Sequence, residues 1–158
     1  MSNWCWAATS VSVAKFYGKT TLVIGGNGGT PTTTVPTTQS NHVYKVAGSF
    51  TYNQPRSLSL VQSDFSSCYS LSSTYSSSNL DATTTNNQLY ANKPVYVRIQ
   101  WSGTTDGHFI LITGYLTANS LYQVMDPSTG SHSYHSFSSI TSSYLSSGTW
   151  THTLYNFQ

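Results

Sequence analysis

The sequence predicts an α+β protein, with a helix at the front and an antiparallel sheet behind it. Three observations carry that reading. Residues 4–17 repeat apolar positions at helical spacing. Five segments from residue 94 onward alternate, or run apolar, in β-branched and aromatic residues. The turns between those segments carry Gly, Asn, Asp and Pro. Helix first and strands second is the order in which helices segregate to one side of an antiparallel sheet. The length of 158 residues suits one core, so residues 1–158 are expected to form a single domain.

In the first helix Trp4, Ala7, Ala8, Val11 and Ala14 form one face. Ser2 or Asn3 is its expected N-cap, and Gly18 its expected stop. The face is built mostly of small residues, which let a helix press closely against a sheet, so the helix reads as central. Residues 25–38, GGNGGTPTTTVPTT, carry loop signals throughout and are expected as a surface loop. Patterns in QSNHVYKVAG and in the Ser-rich stretch 57–80 are ambiguous, with short helices expected around Asn41–Val46 and Leu58–Phe65. TTTNNQLYAN, residues 83–92, reads as a further short helix that Pro94 ends. The strands follow as PVYVRIQW (94–101), HFILITGY (108–115), SLYQVMDP (120–127), SHSYHSF (131–137) and GTWTHTLYNF (148–157). The second of them is nearly continuous in apolar residues, as in a strand buried on both faces.

Only 6% of the residues are charged, against roughly a quarter in an average globular protein. Roughly a third are Ser or Thr, so neutral hydroxyls rather than charges keep the surface wet. Aromatics make up 14%, and 12 residues are Tyr, the reverse of a disordered composition. The net charge is +2, and Lys15, Lys19, Lys45, Arg56, Lys93 and Arg98 are scattered rather than set in a basic stripe, so nucleic acid is not an expected partner. No apolar run approaches the roughly 20 residues of a membrane span, and the first residues lack the pattern of a signal peptide. The charge-poor makeup, rich in Ser, Thr, Asn and Tyr, reads as that of a secreted or exported bacterial protein.

Cys5 is expected in the first turn of the leading helix. Unpaired backbone N–H groups and the positive end of the helix dipole lie there. Both favour a thiolate nucleophile, and the N–H groups suit an oxyanion at an attacked carbonyl. Position alone leaves open that Cys5 is a small buried hydrophobe. A thiolate needs a proton partner, and His108 opens the most apolar strand, directly after the polar turn SGTTD. The bland alternative is a strand-end histidine satisfied by backbone groups. The imidazole in turn needs an acceptor for its second N–H. The chain has no Glu and four Asp: Asp64, Asp81, Asp106 and Asp126. Asp126 ends the strand after the His108 strand, and the connecting hairpin GYLTANS runs the two antiparallel, which brings His108 and Asp126 near one another. Asp126 can equally be a plain turn residue before Pro127, and Asp106 reads as the cap of its own turn.

These residues carry a family resemblance. NWCWAATSVSVAKFYG resembles the nucleophile helix of bacterial papain-like cysteine peptidases, most of all the group that includes avirulence-effector proteases of plant pathogens. Bacteriocin-leader peptidases are more distant relatives. DGHFILITGY followed by YQVMDP resembles their histidine strand and the strand ending in the orienting aspartate, and NQLYANKPVYVRI resembles the segment before it. The resemblance covers most of the chain, least distinctively over 19–80. It implies a papain-like fold whose N-terminal nucleophile helix packs on the C-terminal antiparallel sheet. It implies a cysteine endopeptidase working through a thioacyl-enzyme, with Cys5 as nucleophile, His108 as general acid/base and Asp126 as orienter. A protein or peptide substrate, no cofactor, no metal and a monomeric enzyme go with it. Such enzymes place a Gln a few residues before the cysteine to help hold the oxyanion. Here only Met1, Ser2, Asn3 and Trp4 precede Cys5, so that position falls ahead of the chain, and Asn3 is the sole upstream amide. Losing such a donor costs about a hundredfold to a thousandfold in rate. A catalytically silent papain-like domain that binds a peptide or protein is therefore the alternative. A Cys/His amidase acting on cell-wall peptides, or a transamidating enzyme, shares the same logic.

Other residues are expected to carry no chemistry. Of Trp4 and Trp6, one is expected in the core and one in the cleft wall. Cys68 reads as a lone thiol, the alternative being a bridge to Cys5. His132 and His135 sit three apart in a strand, on opposite faces and without a third ligand, which argues against a metal. His42 shows no partner pattern, and His152 alternates with Trp150 and Leu154.

Overall fold

A computed structural model describes residues 3–26 and 31–158. The chain divides into two compact units, Met1–Ser72 and Ser73–Gln158.

The first unit is mainly helical. Helix α1, Cys5–Phe16, buries Trp6, Ala7, Thr9, Ser10, Val11, Val13 and Ala14. Burial on more than one face marks a central helix, and within its unit α1 packs against α2 and α3. Its N-cap is Trp4, with no side-chain cap hydrogen bond. Asn3 instead bonds Asn53, and Ser2 lies outside the described residues. An indole offers a donor but no acceptor, so Trp4 cannot do what a capping Ser or Asn does. The helix stops where expected. Gly18 takes φ 72°, and Gly18 N donates to Lys15 O while Lys19 N donates to Ala14 O, each at 2.9 Å. That Schellman closure needs a left-handed residue, which glycine adopts without a Cβ penalty.

Strands β1 (Thr21–Ile24) and β2 (Thr33–Pro36) pair antiparallel. The expected loop over 25–38 is thus a strand at its C-terminal end, while residues 27–30 of that stretch lie outside the described residues. Thr and Val suit a pleated strand, and Pro36 sits at the strand end of a two-stranded sheet, where a missing N–H is tolerated. Helices α2 (Gln39–Ala47) and α3 (Leu58–Tyr69) fall where short helices were expected, capped by the side chains of Thr38 and Ser57.

The second unit is a six-stranded antiparallel sheet. In chain order it comprises β3 (Thr74–Ser76), α4 (Ala82–Tyr90), β4 (Val95–Trp101), β5 (Gly107–Leu116), β6 (Leu121–Asp126), β7 (Ser131–Ser136), α5 (Phe137–Ser142) and β8 (Gly148–Tyr155). Across the sheet the order is β3-β8-β4-β5-β6-β7. All five expected strands are present, and β3 and α5 are additional. Phe109–Ile112 of β5 are buried without interruption, as a strand covered on both faces requires. One face gathers Val97, Ile99, Ile110, Ile112, Tyr122, Val124, Ile140, Tyr144 and Trp150 into a continuous core. The α+β class is therefore the observed one, and both the histidine and aspartate of interest lie on this sheet.

Candidate active site

Period-two alternation delivers the first pair of polar groups. Along β5, His108 precedes Ile110 and Ile112, and along β6, Asp126 follows Tyr122 and Val124; the four apolar residues belong to the sheet's core. Pairing of β5 with β6 runs from Leu116–Leu121 to Leu111–Met125, and Asp126 is the next residue of β6 beyond that end. His108 Nε2 and Asp126 Oδ1 are 2.7 Å apart, with side chains 12% and 4% exposed. An ionised carboxylate only accepts, so Nε2 carries the proton and donates. Upstream, Arg98 Nη2 donates to Thr105 O and Gln100 Nε2 to Thr104 O, which ties down the turn ahead of β5. Trp101 stacks on His108 at 6.1 Å between ring centroids.

Asp126 has further donors. Ser128 N and Ser128 Oγ donate to Oδ1 at 2.8 and 2.6 Å, and Tyr144 OH donates to Oδ2 at 2.9 Å. Burial alone would raise the carboxyl, but the hydrogen bonds from His108 and Ser128 outweigh it and hold Asp126 well below the usual carboxylate range. Asp126 is thus a fixed anion at neutral pH. Such a group orients an imidazole and stabilises its protonated form without itself taking a proton.

Cys5 lies in the other unit, as the first residue of α1, half-buried and not disulfide-bonded. Its neighbours are anchored on both sides. Asn3 Nδ2 donates to Asn53 O at 3.0 Å, Trp4 Nε1 donates to Tyr52 O, and Trp6 Nε1 donates to Gln54 O at 3.2 Å. Gln39 Nε2 donates to Trp4 O at 3.0 Å, and the Arg56 guanidinium lies 5.5 Å from the Trp6 ring centroid, itself gripped by Asp64. Both tryptophans are buried, Trp6 completely, so both belong to the core where one was expected in the cleft wall.

The other histidines have other surroundings. His42 is fully buried, with Nδ1 bonded to Tyr69 OH at 2.8 Å, a partnership with no sequence signal. His135 bonds Ser133 Oγ, and His152 bonds Thr151 Oγ1. Among the described residues no three His, Cys, Asp or Glu side chains are grouped so as to hold a metal ion. Cys68 is not disulfide-bonded either, and burial pushes its thiol up. Among the described residues no helix is long and apolar enough to cross a membrane. Sequence reasoning missed Tyr144, Trp101 and Ser128. Only Ser128 had a signal, since Asp-Pro-Ser is a turn in which the aspartate bonds the backbone two residues on.

The ordered Cys, His and Asp, with the histidine–aspartate hydrogen bond on an antiparallel sheet, invite comparison with known proteins. No curated protein matches the chain. A family model, that of the Peptidase_C39 like family, matches residues 1–152 and so spans nearly the whole sequence. The chain belongs to the Peptidase_C39 like family, a family of papain-like cysteine peptidases.

Proposed function

We propose that the protein is a cysteine endopeptidase with Cys5 as nucleophile, His108 as general acid/base and Asp126 as orienter. The observation that carries this reading is the His108–Asp126 hydrogen bond at 2.7 Å, in a chain whose family is one of cysteine peptidases. Because Nε2 is engaged by Asp126, the proton-transfer role falls to Nδ1. In the first step Cys5 Sγ, its proton passed to His108, attacks the peptide carbonyl carbon. First-turn N–H groups of α1 are suited to receive the resulting oxyanion. The C–N bond breaks as His108 returns the proton to the leaving amine, leaving a thioester. His108 then takes a proton from water, the hydroxide adds to the thioester carbonyl, and the C–S bond breaks to release the acid and restore the starting state.

The family match spans both compact units, which supports one papain-like domain over residues 1–158. We assign the enzyme to the avirulence-effector type, with bacteriocin-leader peptidases more distant, on the NWCWAATS and GHFILITGY motifs. On composition it is secreted, with no nucleic-acid partner, and on the family resemblance it is a monomer acting on protein or peptide. One observation favours the second reading, a silent peptide-binding domain: the side-chain amide of Asn3 donates to Asn53 O instead of standing ready for an oxyanion beside Cys5. Alkylation and proteolysis decide between them. Iodoacetamide at neutral pH is expected to label Cys5 at least about tenfold faster than Cys68, and Cys5→Ala to abolish casein hydrolysis. Equal labelling of the two thiols, with no hydrolysis by the wild type, would favour the silent domain.

A further inference from the structure

We propose that Tyr144 and Ser128 are positioning residues that, by donating to both oxygens of Asp126, set the orientation and proton affinity of His108. The inference rests on the reading of His108 as the acid/base group. Asp126 receives four donors, His108 Nε2, Ser128 N and Ser128 Oγ on Oδ1 and Tyr144 OH on Oδ2. Each donor draws charge from the carboxylate and weakens the hold of the others on it. With Ser128 and Tyr144 in place, Asp126 is a less basic partner for the imidazole than a lone carboxylate would be.

The delivery of Tyr144 is costly in backbone terms, which argues against coincidence. Tyr144 follows α5 and is 1% exposed. It closes a tight turn with Gly148, Tyr144 N donating to Gly148 O and Gly148 N to Tyr144 O, each at 2.8 Å. Inside that turn Leu145 and Ser146 take φ of 45° and 73°, left-handed values unfavourable for residues with a Cβ. A Cβ on Gly148 would stand 2.5 Å from Ile99 Cγ2 and 2.9 Å from Trp101 Cζ3, so the turn is seated against β4 with no room for a side chain there. Trp101 stacks on Tyr144 as well as on His108, joining the two rings through one indole. Burial and the contact with Asp126 push the Tyr144 hydroxyl up, so it stays a donor throughout the neutral range. The titratable groups packed around the carboxylate are His108 from β5, Tyr144 from the turn, and His135 from β7, whose ring lies 5.1 Å from that of Tyr144. Trp101 is what β4 contributes, and it carries no charge.

The test is an NMR titration of the histidines in the full chain, wild type against Tyr144→Phe and Ser128→Ala, beside pH profiles of kcat/KM on a casein-derived peptide. Each variant is expected to raise the His108 midpoint by about half a unit to one unit. The alkaline limb of kcat/KM is expected to move up in parallel, with KM changed less than about twofold. Tyr144→Phe that folds but leaves the His108 midpoint in place overturns the inference. Should Tyr144→Phe fail to fold, Ser128→Ala, in an exposed turn, decides by the same shift or its absence. The NMR shift reads the coupling without reference to catalysis. Proteolysis surviving His108→Ala would instead remove the acid/base reading, and with it the catalytic meaning of the shift.

Discussion

Each compact unit holds a histidine hydrogen-bonded to a side chain, fully buried at His42 and mostly covered at His108, and the two pairs differ in the charge of that partner. In the first unit His42 is bonded to the Tyr69 phenol and lies between the Tyr69 and Trp6 rings at 5.4 and 5.6 Å. Among the described residues its Nε2 is buried without a hydrogen-bond partner. Burial, aided by the charge of Arg56, lowers its ring to about 4, so it is neutral in the physiological range. In the second unit His108 faces an anion that the hydrogen bonds from His108 itself and from Ser128 keep ionised. A protonated ring is unsupported at His42 and supported at His108. Burial of a histidine therefore says little about its role; the charge of its partner says much.

The largest expected effect separates the two rings by activity. His108→Ala is expected to lower kcat/KM for casein peptides about a thousandfold or more. His42→Gln, which keeps an acceptor for Tyr69, is expected to leave the folded enzyme within about threefold of wild type. A large loss in both would break the comparison. Next come the two buried carboxylates. Asp126→Asn removes the charge facing His108 and is expected to cost on the order of a hundredfold or more in kcat/KM. Asp64→Asn unpairs Arg56, with an expected loss of about 3 kcal/mol in urea unfolding and near-normal activity per folded molecule.

The mildest effect at any one pH step is a pH dependence of stability. Above about pH 6.5 the His42 ring is neutral in both folded and unfolded chains, and its contribution is complete. Between 6.5 and about 4 the unfolded chain binds a proton that the folded ring refuses, so stability falls with falling pH. The slope reaches about 1.4 kcal/mol per pH unit and sums to about 3 kcal/mol. Urea unfolding across that range is expected to show this slope in the wild type and a flatter one in His42→Gln. His135 and His152, also lowered by burial, leave a remaining slope of the same sign. Asp126 acts in a separate window: its depressed carboxyl contributes fully above about pH 4 and is lost only below it.

Much of the second unit is legible in the amino-acid sequence. Strand periodicity is local, and the turns GYLTANS and SGTTD announce themselves, so the adjacency of His108 and Asp126 follows from one hairpin. The first unit reads less well. TTTVP looks like loop, and only pairing with Thr21–Ile24 makes it a strand. The cap falls to Trp4 because Asn3 is held by Asn53, fifty residues away. Tyr144, eighteen residues from Asp126, lies beyond a helix that no strong pattern marks.

The sequence by itself determined the leading helix followed by the five later strands, the α+β class and the one hairpin that joins an imidazole to a carboxylate, because these depend on spacings of two to four residues and on turn chemistry. Only the tertiary structure decided which donors surround Asp126, which backbone carbonyls hold the tryptophans beside Cys5, and that His42 is a neutral core residue. Those outcomes depend on burial and on contacts between residues far apart in the chain, and no local periodicity encodes the dielectric or the partner that a side chain meets after folding.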